Sequence, residues 1–399
     1  MTPAVWRSVA AAALLMALVM GSRSAFGLFV SPLNSATGIG LAGLAFAIAV
    51  GQLTQGVAQP VLGALADRYG AQRLIRSGAL VLAPTTLAVT MADSLLAMCA
   101  AMAVLAFASS AVGSSNLLVA EVGRRVPLER RAMAFGVVSA GGSAGQMVFG
   151  PATQALIETQ GWVLALGATA LVGLLAWPLA RNLGSEAAPA PAHEPATPQG
   201  GCDALRSTAF WLIASSYAVC GFHIGYLTTH MPGVIERCGL PASLAGVWLA
   251  VLGVANIAGS LSVAWWLRRA SSHTVLMGIF GLRGASVALL LALPPSPQVM
   301  LGFAVLMGLT YMALLPAISQ QVAERFGMER MATLFGIVAL VHQFGSFAGV
   351  WLGGVVAEAT GRDTLVWTID IGLALTAIAL QWQLGWGPAR QARMQLRTA

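Results

Sequence analysis

A few polar side chains interrupt otherwise apolar stretches of the sequence, and their types define the chemistry to expect. Arg23 and Arg283 each lie well inside such a stretch. A guanidinium group presents a planar fork of donors that matches a carboxylate or a phosphate. His223 and Asp370 lie in two further apolar stretches, and imidazole or carboxyl groups in such surroundings often carry protons. These residues predict anion binding and proton exchange in an apolar environment.

Arg23 carries the most weight, because an ionised side chain near mid-membrane is unfavourable unless it is paired or hydrated. An anionic ligand in a cavity would satisfy it. A structural alternative binds Arg23 to backbone carbonyls or to Asp370. Asp370 is in turn either the partner of an intramembrane arginine or a proton site. For Arg283, structural pairing is the favoured interpretation.

His223, Tyr226 and His230 are spaced i, i+3 and i+7, so they share one face of a helix. They could donate hydrogen bonds to a carboxylate, or they could be satisfied packing residues. The pair His342-Gln343 leaves the same two interpretations open. We predict that a substrate contacts Arg23, Gln146, His223, Tyr226, Asn256, His342 and Gln343, with His223 and Asp370 as the candidates for proton coupling.

The elements that must position these residues are membrane-spanning helices. Of 399 residues, 57% are hydrophobic and 9% are charged, and the mean hydropathy is +0.79. A soluble domain carries about 25% charged residues, so a soluble globular fold is excluded. With about 20 apolar residues per crossing, the sequence predicts an all-α polytopic membrane protein of twelve helices. They span 7–30, 40–64, 73–92, 95–122, 131–157, 161–181, 208–235, 242–267, 273–293, 298–323, 331–357 and 364–386.

The chain divides into two six-helix halves, 1–181 and 208–399, joined by a linker at 182–207 that is rich in proline and alanine. An internal repeat supports this division. Glu129–Val138 aligns without gaps to Glu329–Val338 at an offset of 200 residues, and Gly145 and Gly345 follow in register. Carriers with parallel halves of this kind bind their substrates between the halves, near the middle of the membrane.

Arginine placement predicts the orientation in the membrane. All 21 basic residues are arginine, and seventeen of them fall on the face that holds the N-terminus. Arg237 and Arg362 fall on the opposite face. The positive-inside rule then puts both termini on the cytoplasmic side of the membrane. The first apolar run has no cleavage pattern, which predicts a retained helix and not a signal peptide.

Other functional classes find little support. A chain without lysine has no phosphate-binding GxxxxGK[ST] loop, and HExxH does not occur. Cys99, Cys202, Cys220 and Cys238 show no CxxC spacing, so we predict no metal site. We expect no enzyme activity, no cofactor and no nucleic acid partner. The predicted partners are a small-molecule substrate and the lipid bilayer.

The loop between the second and third predicted helices carries a motif. Gly63, Asp67, Arg68, Gly70 and Arg73 follow the spacing GxxxDRxGxxR. This motif resembles the loop signature of the major facilitator superfamily. The resemblance implies a fold of two pseudo-symmetric six-helix halves and assigns these five residues to gating. In that family the charged loop holds the halves in one conformation and releases them in another.

Resemblance to one branch of that superfamily covers the whole chain. It rests on Gly21–Phe29, Arg131–Gly136, the pair Gly150-Pro151, Cys220–His223 and Thr228–Pro232. These runs are similar to bacterial relatives of the monocarboxylate transporters, in the group of the oxalate-formate antiporter. Such proteins are proton-coupled or exchanging carriers of small organic anions. One difference matters: where these carriers commonly have Asp and Arg four residues apart in the eighth helix, this chain has Asn256 and Ser260.

The resemblance implies a secondary active transporter that works by alternating access, as a functional monomer, on a small organic anion such as a monocarboxylate. Proton coupling or exchange would drive it. An exporter of a drug-like or siderophore-like compound is the alternative, since Gly141, Gly145 and Gly150-Pro151 partly match the fifth-helix pattern of exporters. A membrane sensor without transport is a further alternative from a different class.

Overall fold

A computed structural model describes residues 3–183, 204–327 and 331–398 and contains helices and no strand within these ranges. The first eight α-helices are α1 (Pro3–Ser24), α2 (Val30–Thr37), α3 (Leu41–Tyr69), α4 (Ala71–Ala88), α5 (Leu95–Gly113), α6 (Ser115–Gly123), α7 (Arg131–Gln160) and α8 (Trp162–Leu179). The next seven are α9 (Thr208–Arg237), α10 (Ser243–Trp266), α11 (Ser272–Ala292), α12 (Pro297–Thr310), α13 (Leu314–Phe326), α14 (Met331–Thr360) and α15 (Thr364–Thr398).

These helices confirm the predicted twelve-helix polytopic fold. In the described ranges, eleven helical segments are long and apolar enough to cross a membrane. The remaining segment is α7, which spans 30 residues and whose glycine and glutamine residues lower its hydropathy. In lipid, backbone N–H and C=O groups must form their hydrogen bonds within the protein, and a helix forms them within its own segment.

Three predicted helices are not continuous. A 3₁₀ turn, Ala25–Phe29, separates α1 from α2. The fourth predicted helix breaks at Ser114, whose hydroxyl accepts a hydrogen bond from Leu117 N and so begins α6. The tenth breaks between Thr310 and Leu314. Apolar composition continues through the first and third of these positions, whereas the second lies in the run Gly113-Ser114-Ser115-Asn116, which the helix prediction did not treat as a break.

The predicted linker at 182–207 mostly lies outside the described residues, which resume at residue 204. At its edges, a 3₁₀ turn covers Ala180–Asn182, and residues 204–206 are helical. The described chain clusters into two compact units. The first comprises Met1–Ala192, Tyr226–Val254 and Val350–Asp363, and the second comprises His193–Gly225, Ala255–Gly349 and Thr364–Ala399.

The internal repeat reappears as a helix crossing in each unit. In the first, α7 crosses α1 so closely that a Cβ added at Gly145 would overlap the carbonyl oxygen of Ala17. In the second, α14 crosses α9, and a Cβ at Gly345 would overlap the carbonyl oxygen of Ala218. Small residues permit this approach of backbones in membrane helices, which explains why glycine occurs at both positions of the repeat.

Candidate functional site

Arg23 lies where the first membrane-spanning segment departs from α-helical geometry. It occupies the last turn of α1, directly before the 3₁₀ turn Ala25–Phe29. A cation in this place is favoured by the negative end of the helix dipole. The side chain is half-buried, and its guanidinium donates a hydrogen bond to the side-chain oxygen of Gln55 on α3. Arg23 thus has a neutral amide partner and a partly exposed side chain.

His223 and Asp370, predicted separately as proton-coupling residues, are brought together in the second unit. His223 Nε2 on α9 lies 2.8 Å from Asp370 Oδ1 on α15, and each side chain is 1% exposed. The same nitrogen lies 3.2 Å from the carbonyl oxygen of Asp370. Among the described residues, the other ring nitrogen of His223, Nδ1, has no hydrogen-bond partner. The intramembrane carboxyl group is therefore paired with an imidazole, whereas an intramembrane arginine was the predicted alternative.

His223 belongs to a polar stripe on α9 that the sequence analysis recognised only in part. Tyr217, Cys220 and His223 are three residues apart, and each side chain contacts a different helix. The ring of Tyr217 lies 4.3 Å from the ring of His342 on α14, centroid to centroid. Cys220 Sγ lies 3.3 Å from Nη1 of Arg283 on α11. The three-residue spacing was the available signal for Tyr217 and Cys220.

Tyr226 lies on the same helix but belongs to the first unit. Its hydroxyl donates to Asp363 Oδ1 at 2.9 Å. The guanidinium of Arg237 binds the same carboxylate through both oxygens, at 2.9 and 2.7 Å. We call Tyr226, Arg237 and Asp363 the outer latch, because Arg237 lies on the face predicted to be opposite the termini. Asp363 was missed, although an acid beside the arginines of that sparsely charged face was a visible signal.

A second contact on this face joins the two predicted halves within the first unit. Glu358, near the end of α14, accepts a hydrogen bond from Ala42 N at 2.8 Å. Ala42 lies in the first turn of α3, where a carboxylate is favoured by the helix dipole. Gly40 precedes that turn with φ +91°, and a Cβ there would come within 2.8 Å of Glu358 Oε2. Glycine therefore permits the carboxylate to reach the helix end.

The other predicted substrate-contacting residues have more local surroundings. Asn256 Oδ1 on α10 accepts a hydrogen bond from Met312 N at 3.1 Å, at the break between α12 and α13. Gln146 and Gln343 are buried, and His342 is half-buried. Among the described residues, no group of three or more His, Cys, Asp or Glu side chains is arranged to bind a metal ion.

The predicted gating motif lies at the junction of α3 and α4. Gly70 has φ +86° and separates the two helices, so this position requires glycine. Arg68 and Arg73 are exposed, and Arg68 lies 5.3 Å from the ring centroid of Tyr69. A Cβ added at Gly63 would meet no atom within 4 Å. The side chain of Asp67 lies outside the described part of the structure.

The fold is that of a helical polytopic membrane protein with ionisable side chains inside its spans. The model of the Major Facilitator Superfamily matches residues 12–350, and the chain belongs to that family. Its resemblance to this superfamily, carried in the sequence by the motif between α3 and α4, is confirmed.

Among relatives, the oxalate:formate antiporter of Oxalobacter formigenes is 23% identical over 372 residues, covering 90% of this chain and 86% of that protein. Monocarboxylate transporter 13 of Bos taurus is 24% identical and covers 90% of this chain and 84% of its own length. An uncharacterized MFS-type transporter of Bacillus subtilis, YcxA, is 26% identical over 157 residues, which is 38% of each chain.

Solved structures agree on the fold. The nucleoside transporter NupG, in a point-mutant form, has a TM-score of 0.75 and 15% identity, covering 94% of this chain and 99% of its own. A bacterial homologue of the human lysosomal transporter Spinster has a TM-score of 0.67 and 16% identity, covering 96% and 95%. At this identity the likeness concerns the fold.

Proposed function

We propose that this protein is a secondary carrier of a small organic anion, such as a monocarboxylate, and that Arg23 binds the anion. The observation that carries the proposal is a half-buried guanidinium, well inside a membrane span, next to a departure from helical geometry. Irregular backbone at that depth is found where it lines a cavity or is buried in protein. The names of two relatives, an oxalate:formate antiporter and a monocarboxylate transporter, support a carboxylate.

Proton coupling is assigned to the pair of His223 and Asp370. Both side chains are buried, so a change in their protonation alters the charge of a region that water does not screen. Asp370 has an imidazole partner that can itself gain or lose a proton. The pair could therefore take up a proton with the anion and release it on the other side.

Alternating access requires an end of the bundle that can open. The contact of Glu358 with the first turn of α3 joins the two predicted halves on the outer face, whereas the contact of Asp363 with Arg237 lies within the C-terminal half. We propose that the Glu358 contact separates when the carrier opens outward and that the outer latch holds α9 in its closed position. In the same cycle, the cytoplasmic end would be gated by the motif residues Gly63, Asp67, Arg68, Gly70 and Arg73. The carrier would lie in a bacterial inner membrane, with both termini on the cytoplasmic side.

The remaining predicted contacts are assigned by their surroundings. His342, Gln343 and Gln146 stay candidates for polar contact with the substrate. Tyr226 and Asn256 already bind Asp363 and Met312, so we propose that they hold neighbouring segments in place and do not contact the substrate. The carrier is proposed to function as a monomer, with no enzyme activity and no cofactor.

The test is thermal stabilisation of the purified protein, because a ligand that binds the native state raises apparent stability. Formate, oxalate, lactate and pyruvate are compared with tetraphenylphosphonium and other hydrophobic cations. The panel is repeated on Arg23→Gln and on Arg7→Gln, a control in which an exposed arginine of the same helix is changed.

We expect at least one carboxylate to stabilise the wild type and Arg7→Gln but not Arg23→Gln. Stabilisation by bulky cations alone would reject the anion carrier and favour an exporter. A carboxylate response that survives in Arg23→Gln would reject Arg23 as the anion-binding residue.

A further inference from the structure

Arg283 is a deeply buried charge whose role the proposed function leaves open. It lies near the middle of α11, and the residue is 1% exposed. Such a charge is unfavourable in the interior of a membrane protein unless other groups compensate for it. Its contacts therefore indicate what the side chain is for.

Among the residues that the structure describes, each acceptor bound by the Arg283 guanidinium is neutral. Nη2 donates to the carbonyl oxygens of Thr310 at 2.6 Å and Tyr311 at 3.2 Å. Nε donates to the Thr310 hydroxyl at 3.2 Å, and Nη1 to the Cys220 thiol at 3.3 Å. Within the described part of the chain, no carboxylate forms an ion pair with Arg283. The guanidinium is thus bound by backbone dipoles and not by a counter-charge.

The two carbonyls belong to the end of a broken helix. α12 ends at Thr310 and α13 begins at Leu314. The last carbonyls of a helix lack intrahelical partners and form the negative end of its dipole. Arg283 supplies both hydrogen bonds and positive charge there. On the other side of the break, the Asn256 side chain accepts a hydrogen bond from Met312 N. Side chains of neighbouring helices therefore bind backbone groups on both sides of the break.

The break in the first half is built differently. There the Ser114 hydroxyl accepts from Leu117 N, 3.4 Å away in the same segment. That break is capped by a residue of its own chain segment, whereas the break at residues 311–313 is held by α10 and α11. The groups that hold the second break therefore come from other helices, and they can set its position relative to those helices.

We propose that Arg283 is an internal guanidinium clamp that fixes the angle between α12 and α13. In membrane carriers, unwound carbonyls and half-helix C-termini commonly coordinate a cation; here a side chain supplies the cation. Nη2 donates to both carbonyls while Nε and Nη1 donate to the Thr310 hydroxyl and the Cys220 thiol. A lysine ammonium, with a single nitrogen, cannot reproduce this planar set of three donor nitrogens. Arg283 is a positioning residue, and its contact with Cys220 links the break to the polar stripe on α9 that carries His223.

The clamp itself is tested without any transport substrate. Arg283→Ala should leave a site that free guanidinium ions can fill. We expect hydrogen exchange in peptides covering residues 305–320 to accelerate by about tenfold, because the break opens locally. Guanidinium chloride at low millimolar concentration should restore protection, and sodium chloride at the same concentration should not.

Arg325→Ala is the matched control, since Arg325 also donates to a backbone carbonyl, that of Leu384, but not at the break. The hydrogen-exchange rate of residues 305–320 in this control should match that of the wild type and should not change when guanidinium chloride is added. Arg283→Lys and Thr310→Val provide the same measurement if Arg283→Ala does not fold, and both should give intermediate exchange. Unchanged exchange in these variants, or no rescue by guanidinium, would overturn the clamp.

The consequence for transport rests on the proposed function and is measured separately. With a carboxylate that the wild type carries, Arg283→Ala should lower the maximal exchange rate by about tenfold while the apparent KM changes by less than about twofold. A raised KM with an unchanged rate would make Arg283 an anion contact and overturn its positioning role. If the wild type carries no carboxylate, the proposed function fails, whereas the hydrogen-exchange result for the clamp stands.

Discussion

Arg23 and Arg283 are both intramembrane arginines beside helix irregularities, yet their surroundings differ. Arg23 is half-buried and donates to the amide oxygen of Gln55. Arg283 is buried, and backbone carbonyls, a hydroxyl and a thiol surround its guanidinium. The comparison teaches that the type of residue alone does not define a ligand site. A guanidinium serves a substrate only if some of its surface remains open to one.

The strongest test of this difference is to neutralise the accessible arginine. Arg23→Gln should reduce kcat/KM for a carboxylate by about a hundredfold or more, since a charge-assisted contact to the ligand is lost. Initial rates of exchange in proteoliposomes measure it. Arg7→Gln is the control and should transport normally; near-normal rates in Arg23→Gln would remove the distinction between the two arginines.

The paired acid should behave differently from the binding arginine. Asp370→Asn should lower net uptake driven by a pH gradient by about tenfold or more, because the pair loses its titratable carboxyl group. Exchange at equal pH on both sides should persist. Asp363→Asn changes an acid outside this pair and should retain the pH dependence. Loss of carboxylate binding in Asp370→Asn would show that Asp370, like Arg23, takes part in anion binding, and would contradict its role in proton coupling alone.

The fold was predicted from the sequence more completely than the site. The lengths of the apolar runs determine the number and position of the helices, because lipid leaves few alternatives. The break at residues 311–313 was missed, since its residues are as apolar as their neighbours. Its polar partners, Arg283 and Asn256, come from other helices, and no local pattern connects them to it.

The candidate site shows the same limit. His223 and Asp370 were recognised as ionisable groups in apolar runs, but they are 147 positions apart, so their pairing was not visible. Arg237 and Asp363 are separated by 126 positions. Spacing predicted a face shared by Tyr226 and His223 but not their partners, which are the different acids Asp363 and Asp370.

The outer latch should have a smaller effect than either intramembrane charge. Asp363→Asn weakens a partly exposed ion pair and should shift the closed state of the outer end by about 1 kcal/mol. Cys238, next to Arg237 and half-buried, should then react several-fold faster with a membrane-impermeant maleimide. Glu236→Gln is the control, and Cys238→Ser gives the background from other thiols. An unchanged labelling rate in Asp363→Asn would mean that the latch does not hold this end closed.

The smallest effects are expected where no charge is involved. Gly70→Ala forces a side chain into a conformation with φ +86° and should lower the free energy of unfolding by about 1 kcal/mol. Gly63→Ala, in the same motif, meets open space inside a helix and should be neutral or stabilising by less than about 1 kcal/mol. Thermal unfolding of both variants decides this. Equal destabilisation would show that Gly63 is tightly packed after all.

The most direct test of the division between binding and coupling is to record proton and anion movement together. Proteoliposomes of phosphatidylethanolamine and phosphatidylglycerol are loaded with a pH-sensitive dye and a low concentration of an unlabelled carboxylate from the stabilising panel, and the radiolabelled carboxylate is supplied outside at a higher concentration. We predict that wild-type uptake acidifies the lumen, that Asp370→Asn exchanges the anion without acidification, and that Arg23→Gln does neither. Anion uptake by Arg23→Gln, or acidification by Asp370→Asn, would contradict the account.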